Sequence, residues 1–136
     1  MNPKMSIDEH GTKKWSLNDH LHRVDGPAVE WLDGSEAWWQ YGKLHRKDGP
    51  ALIYLDGAEK WYLNGERHRV DGPAINWPGG TSEWWQNGKL HREDGPAIIS
   101  FNGRMVWYIN GEELTEDEVW ARQFKKQIDE AINNEA

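Results

Sequence analysis

Along this chain, short apolar runs alternate with glycine-bearing breaks, and the alternation keeps a strict period of 23 residues. Ala28-Val29-Glu30-Trp31-Leu32 leads to Asp33-Gly34 and then to Ser35-Glu36-Ala37-Trp38-Trp39-Gln40. The same order recurs around Asp56-Gly57, Gly79-Gly80 and Asn102-Gly103, and further glycines fall at Gly42, Gly65, Gly88 and Gly111. Runs this short, rich in β-branched and aromatic residues and divided by Asp-Gly or Asn-Gly, predict β-hairpins. A fixed internal period makes the fold a stack of one small unit. The expectation is a mainly β protein: an elongated, twisted antiparallel sheet of four 23-residue β-hairpin repeats, with a C-terminal α-helix.

A two-residue turn at Asp33-Gly34 would place Val29 opposite Trp38 and Ala28 opposite Trp39. Period-two alternation then sorts the side chains onto two faces. One face carries Val29, Leu52, Ile75 and Ile98 against Trp38, Trp61, Trp84 and Trp107, and reads as core. The other sets Ala28, Ala51, Ala74 and Ala97 against Trp39, Tyr62, Trp85 and Tyr108, and reads as half-wet.

The ends break the period. Trp15 to Leu21 matches the back half of a repeat, which predicts a lone capping strand over 14–18, with residues 1–13 disordered. The hairpin repeat domain is expected over 14–111, and an acidic linker with an amphipathic helix over 112–136. Thr115 followed by Glu118 is a capping-box pattern. Trp120, Phe124, Ile128 and Ile132 then recur every four residues as one helical stripe. That stripe is expected to cover part of the apolar sheet; the alternative is that it dimerises the protein or docks a partner.

Four copies of His-Arg-x-Asp-Gly-Pro-Ala begin at His22, His45, His68 and His91. The segment Glu83-Trp84-Trp85-Gln86-Asn87-Gly88-Lys89-Leu90-His91 is similar to the Glu-Trp-x-Asn-Gly-Lys-x-His core of MORN-type repeats. Together with the His-Arg-x-Asp-Gly-Pro-Ala variant, it resembles uncharacterised repeat proteins common in bacteriophages and some bacteria. The resemblance spans Trp15 to Gly111. It implies an elongated twisted sheet with a binding or scaffold role rather than catalysis; scaffolding, dimerisation and membrane-lipid association are the roles proposed for such repeats. The chain departs from the pattern where Asp-Gly-Pro-Ala replaces the usual Gly-x-Gly after the histidine.

Charge and chemistry narrow the function classes. The chain of 136 residues carries a net charge of −7, and the segment from Glu112 holds eight acidic against three basic residues. The remaining body is near neutral, without the basic excess that duplex DNA requires. There is no cysteine, and no apolar run approaches the length that spans a bilayer, so a cytoplasmic protein is expected. Equivalent histidines in successive hairpins would lie roughly 9–10 Å apart, too far to share a metal. The same spacing separates Asp25, Asp48, Asp71 and Asp94 beyond acid–base pairing, and neither an enzyme nor a cofactor is expected.

Two sets of side chains remain as binding candidates. Arg23, Arg46, Arg69 and Arg92 either pair with the aspartate two residues on or contact a ligand's phosphates or carboxylates. Trp39, Tyr62, Trp85 and Tyr108 form an aromatic ladder of the residue types enriched at interfaces. The leading expectation is a non-enzymatic repeat protein that uses these residues to bind, and so inhibit or occlude, a host protein. One alternative is a sponge that sequesters a nucleotide-type signalling molecule. Another is a homodimeric scaffold joined through Trp120, Phe124 and Ile128.

Overall fold

The structure is a computed structural model that describes residues 2–135. It is mainly β: one long antiparallel sheet, a series of two-stranded hairpins beside it, and a single helix, Glu116–Glu135. Each repeat makes two successive hairpins. In the first full unit, Val29–Glu30 pairs with Glu36–Ala37 in the long sheet, and Trp39–Gln40 then pairs with Lys43–Leu44 in a side hairpin. The chain turns a corner at Trp38 between the two, and Trp61 and Trp84 hold the same place in later units.

The first turn differs from the two-residue expectation. Trp31 and Ser35 close it, with the Ser35 carbonyl accepting the Trp31 N–H at 3.0 Å, so three residues form the loop. Within that loop only Gly34 has positive φ, at 94°, which is the type I turn plus glycine bulge favoured in three-residue hairpins. The extra loop residue slips the register by one. Val29 therefore faces Ala37, not Trp38, and Trp39 faces Leu44, not Ala28. The expected facing of alanines and aromatics is thus corrected, because a one-residue slip exchanges faces. The four alanines are nonetheless fully buried: each of their carbonyls receives the backbone N–H of the corner tryptophan from the preceding unit. The two-residue turn with both φ positive lies instead in the side hairpin, at Tyr41-Gly42 (49° and 78°).

The N-terminal segment is the second correction. Lys4–Ile7, expected to be disordered, pairs with Lys13–Leu17, matching Ile7 to Lys13 and Lys4 to Ser16. This register is that of the later sheet hairpins moved back by the repeat period. Gly11, with φ of 79°, sits where Gly34 does, and Ser16–Leu17 with His20–Leu21 forms the matching side hairpin. The stack therefore opens with a degenerate fifth unit. Asp8 replaces the tip aromatic there, and its carboxylate accepts the N–H groups of His10 and Thr12.

The third correction concerns the helix. Its capping box forms, with Glu118 N–H donating to Thr115 Oγ1 at 3.2 Å and Thr115 N–H to the Glu118 carboxylate at 3.4 Å. No helix residue is buried, and Trp120, Phe124, Ile128 and Ile132 all stand exposed. Only Leu114 and Thr115 separate the last strand, Glu112–Glu113, from the helix. The helix adjoins the last unit through Val119, Arg122 and Lys126, which line a cleft with Arg92, Asp94 and Trp107, and the apolar stripe is left exposed rather than covering the sheet. No helix among the described residues is long and apolar enough to cross a membrane.

Candidate functional site

The His-Arg-x-Asp-Gly-Pro-Ala segment resolves into a set of backbone-directed contacts. Each histidine takes the N–H of the residue 19 positions on at its Nδ1, all at 3.0 Å: Tyr41, Asn64, Asn87 and Asn110. These are the first residues of the positive-φ turns, whose N–H groups lack a ladder partner. Acceptance at Nδ1 places the ring proton on Nε2. His45 is buried, and that burial, with the nearby Lys47 charge, holds it below the usual imidazole range.

Each arginine lies over the corner tryptophan eight residues earlier. The guanidinium carbons are 3.9, 3.8, 4.0 and 3.9 Å from the ring centres for Arg23–Trp15, Arg46–Trp38, Arg69–Trp61 and Arg92–Trp84. Each also donates to the carbonyl of the motif proline, at 3.0–3.2 Å. Each forms an ion pair with the aspartate two residues on, from 3.4 Å at Asp25 to 2.9 Å at Asp94. The motif glycine is explained by the same packing: a Cβ at Gly49 would fall 2.7 Å from Arg46 Cζ. The Nε1–H groups of Trp38 and Trp61 are buried without a hydrogen-bond partner, so stacking rather than hydrogen bonding holds these rings. Open clefts of about 360, 440 and 680 Å³ separate successive motif loops. Their walls combine these paired arginines and aspartates with a corner tryptophan and a motif histidine in each.

The aromatic ladder belongs to a different surface. Side chains two positions apart along a strand share a face, which puts the tip residues Trp31, Tyr54 and Trp77 on the side of Val29, Leu52 and Ile75. Contacts tie this face together across the corner. Glu83 accepts from Trp77 Nε1 at 2.6 Å and from Trp85 Nε1 at 3.0 Å. The Lys60 ammonium lies 5.5 Å from the Tyr54 ring centre and 4.8 Å from that of Trp77. Arg67 lies 4.7 Å from the Trp85 ring centre and donates to the Tyr62 hydroxyl at 3.3 Å.

The structure therefore separates two groups that the sequence reading joined. Trp39, Tyr62, Trp85 and Tyr108 are half-buried along the aromatic face, whereas Arg23, Arg46, Arg69 and Arg92 are committed to the motif loops. Sequence reasoning missed the exposed tip ridge: Trp31-Leu32, Tyr54-Leu55 and Trp77, with Phe101 in the last unit. The signal was present, because hairpin tips are ordinarily polar and these carry large apolar residues in every full unit. It also missed Lys60, Arg67 and Glu83: Lys60 and Glu83 share one repeat position that Ala37 and Val106 fill in other units, and Arg67 stands where Leu44 and Leu90 do.

Trp120, Phe124 and Ile128 stand apart from both groups. Trp120 and Phe124 stack with ring centres 5.2 Å apart, and the start of the helix adjoins Trp107 across a small cleft. No protein-family model matches the chain, and no curated protein matches it in sequence.

Proposed function

We propose that this is a non-enzymatic repeat protein that binds a protein partner through its aromatic face. The observation that carries this is the pair of in-register aromatic rows, Trp31–Tyr54–Trp77 at the tips and Trp39–Tyr62–Trp85–Tyr108 at the start of the side hairpins. A contiguous apolar surface of this kind, studded with a few charges, is what protein interfaces use for their central anchors. Successive rings along a row lie roughly 9–10 Å apart, wider than the slot that clamps one flat base, which favours an extended protein surface. The arginines that would have gripped a phosphate are spent on tryptophan, proline carbonyl and aspartate. The resemblance to bacteriophage repeat proteins makes a host protein, occluded by the bound chain, the specific target of this reading.

The test is a comparison of full-length wild type with the Trp39→Ala/Trp85→Ala double variant. Each is purified from its native cell and everything that travels with it is identified. A defined protein retained by wild type and lost by the variant is the expected result. Equal retention by both would remove the aromatic face from the binding role.

A further inference from the structure

The repeats provide their own alignment: residues shared by all units build the hairpins, and departures mark what one unit does alone. On the aromatic face, the place of Lys60 is held by Ala37 and Val106 in other units, and that of Arg67 by Leu21, Leu44 and Leu90, with Glu113 in the last. Glu83 is the third unit's departure at the Ala37 position. These three charged departures are joined through two tryptophans. Lys60 and Glu83 flank Ile75 in one cross-strand row; Lys60 lies over Trp77 and Arg67 over Trp85, and both indoles donate to Glu83.

The charges in this cluster are unequally satisfied. The Glu83 carboxylate is held by two indole N–H groups, one on each oxygen. Neither Lys60 nor Arg67 has a carboxylate within ion-pair distance among the described residues, whereas Arg23, Arg46, Arg69 and Arg92 each have one. Both are half-buried, so part of their hydration is already lost. Two unpaired cations set among Tyr54, Tyr62, Trp77 and Trp85 are complementary to an anion carried on an apolar body.

We propose that this cluster receives a carboxylate side chain from a β-strand or extended segment of the protein partner, between Lys60 and Arg67. Flanking apolar residues of that segment then pack on Trp77 and Trp85. This deepens the reading of the face as protein-binding and rests on it. A protein carboxylate is favoured over a nucleic-acid backbone because two cations on a near-neutral repeat body match a single acidic side chain and lack the basic excess that holds a polyanion.

The test uses full-length protein and three probes: a short peptide alternating Glu with Val, its Gln counterpart, and tripolyphosphate. Binding is followed by the indole N–H resonances. The Glu peptide should shift Trp77 and Trp85 and bind about tenfold tighter than the Gln peptide, as expected for charge-assisted hydrogen bonds. Lys60→Ala/Arg67→Leu should remove that preference. The double variant installs the residues other units already use, so its folding is safe, and its melting curve verifies this. Equal binding of Glu and Gln peptides, no binding, an unchanged variant, or preference for tripolyphosphate would each overturn the proposal. If it fails while Trp39→Ala/Trp85→Ala still abolishes partner retention, the aromatic-face reading survives alone; if both fail, the face itself is excluded.

Discussion

The Arg46 guanidinium lies 3.8 Å from the centre of the Trp38 ring, with Gly49 so close that an added Cβ would fall 2.7 Å from its Cζ. This one contact explains why arginine, glycine and tryptophan recur together at a fixed spacing. The guanidinium closes the corner between sheet and side hairpin, and it leaves no room for a Cβ at the glycine. Gly49→Ala should therefore act through Arg46. The expected cost is about 1–2 kcal/mol from the displaced stacking and the hydrogen bond to Pro50. In an Arg46→Ala background the same substitution should cost less than about 0.5 kcal/mol, because nothing remains to displace. Urea denaturation of the four proteins measures the coupling; additive costs would mean that the glycine serves the turn rather than the arginine.

Acid should loosen the stack through His45. Its folded pKa lies below the ordinary 6.5 because burial and Lys47 disfavour the charged ring. The unfolded chain therefore takes up the proton first. Stability is full above about pH 6.5 and is lost as pH falls through the folded value. Protonation at Nδ1 would also eliminate the bond from Asn64 N–H. The urea midpoint should fall between pH 7 and pH 5, with a shallower decline in His45→Leu. Asp71 and Asp94 add a separate limb at lower pH. Arg69 and Arg92, by hydrogen bond and charge, hold them below 3.8, so their contribution disappears only under stronger acid.

Tyr41 occupies a left-handed position, φ 49°, where the later units place Asn64, Asn87 and Asn110. Asparagine tolerates this region better than tyrosine does. The tyrosine ring is largely exposed and recovers only a tilted contact with His22 at 4.3 Å. Tyr41→Asn is expected to raise stability by about 0.5–1 kcal/mol, seen as a higher melting temperature. A decrease would show that the His22 contact outweighs the backbone strain.

The sequence disclosed the period, the hairpins and the capped helix because each has a local signal: spacing, turn glycines, and the Thr115–Glu118 pair. What it hid were decisions made between residues distant in sequence. Asp33-Gly34 is compatible with a two- or a three-residue loop, and only the pairing of Trp31 with Ser35 selects the latter. That choice moved Val29 from Trp38 to Ala37. The opening unit was hidden because it lacks the motif and substitutes Asp8 for the tip aromatic, so only register reveals it. Arg67 and Lys60 were legible as departures from their own repeat, but their meeting with Glu83 depends on the sheet that joins two units.

The helix tests whether the repeat body needs its C-terminal extension. The stripe of Trp120, Phe124, Ile128 and Ile132 stands exposed, with the Trp120 and Phe124 rings stacked on each other. Isolated helices of this length are marginal in water, so its order depends heavily on the cap. Thr115→Ala should lower helicity by circular dichroism, with a cost of about 1 kcal/mol confined to the helix. Phe124→Glu should leave the unfolding midpoint of the repeat body within about 0.5 kcal/mol of wild type, because no buried contact is removed. If Phe124→Glu lowers that midpoint and makes it depend on protein concentration where wild type did not, the stripe is an interface rather than a free surface. Tryptophan fluorescence across a hundredfold concentration range separates the two outcomes, since nine of the ten tryptophans precede the helix and report the repeats.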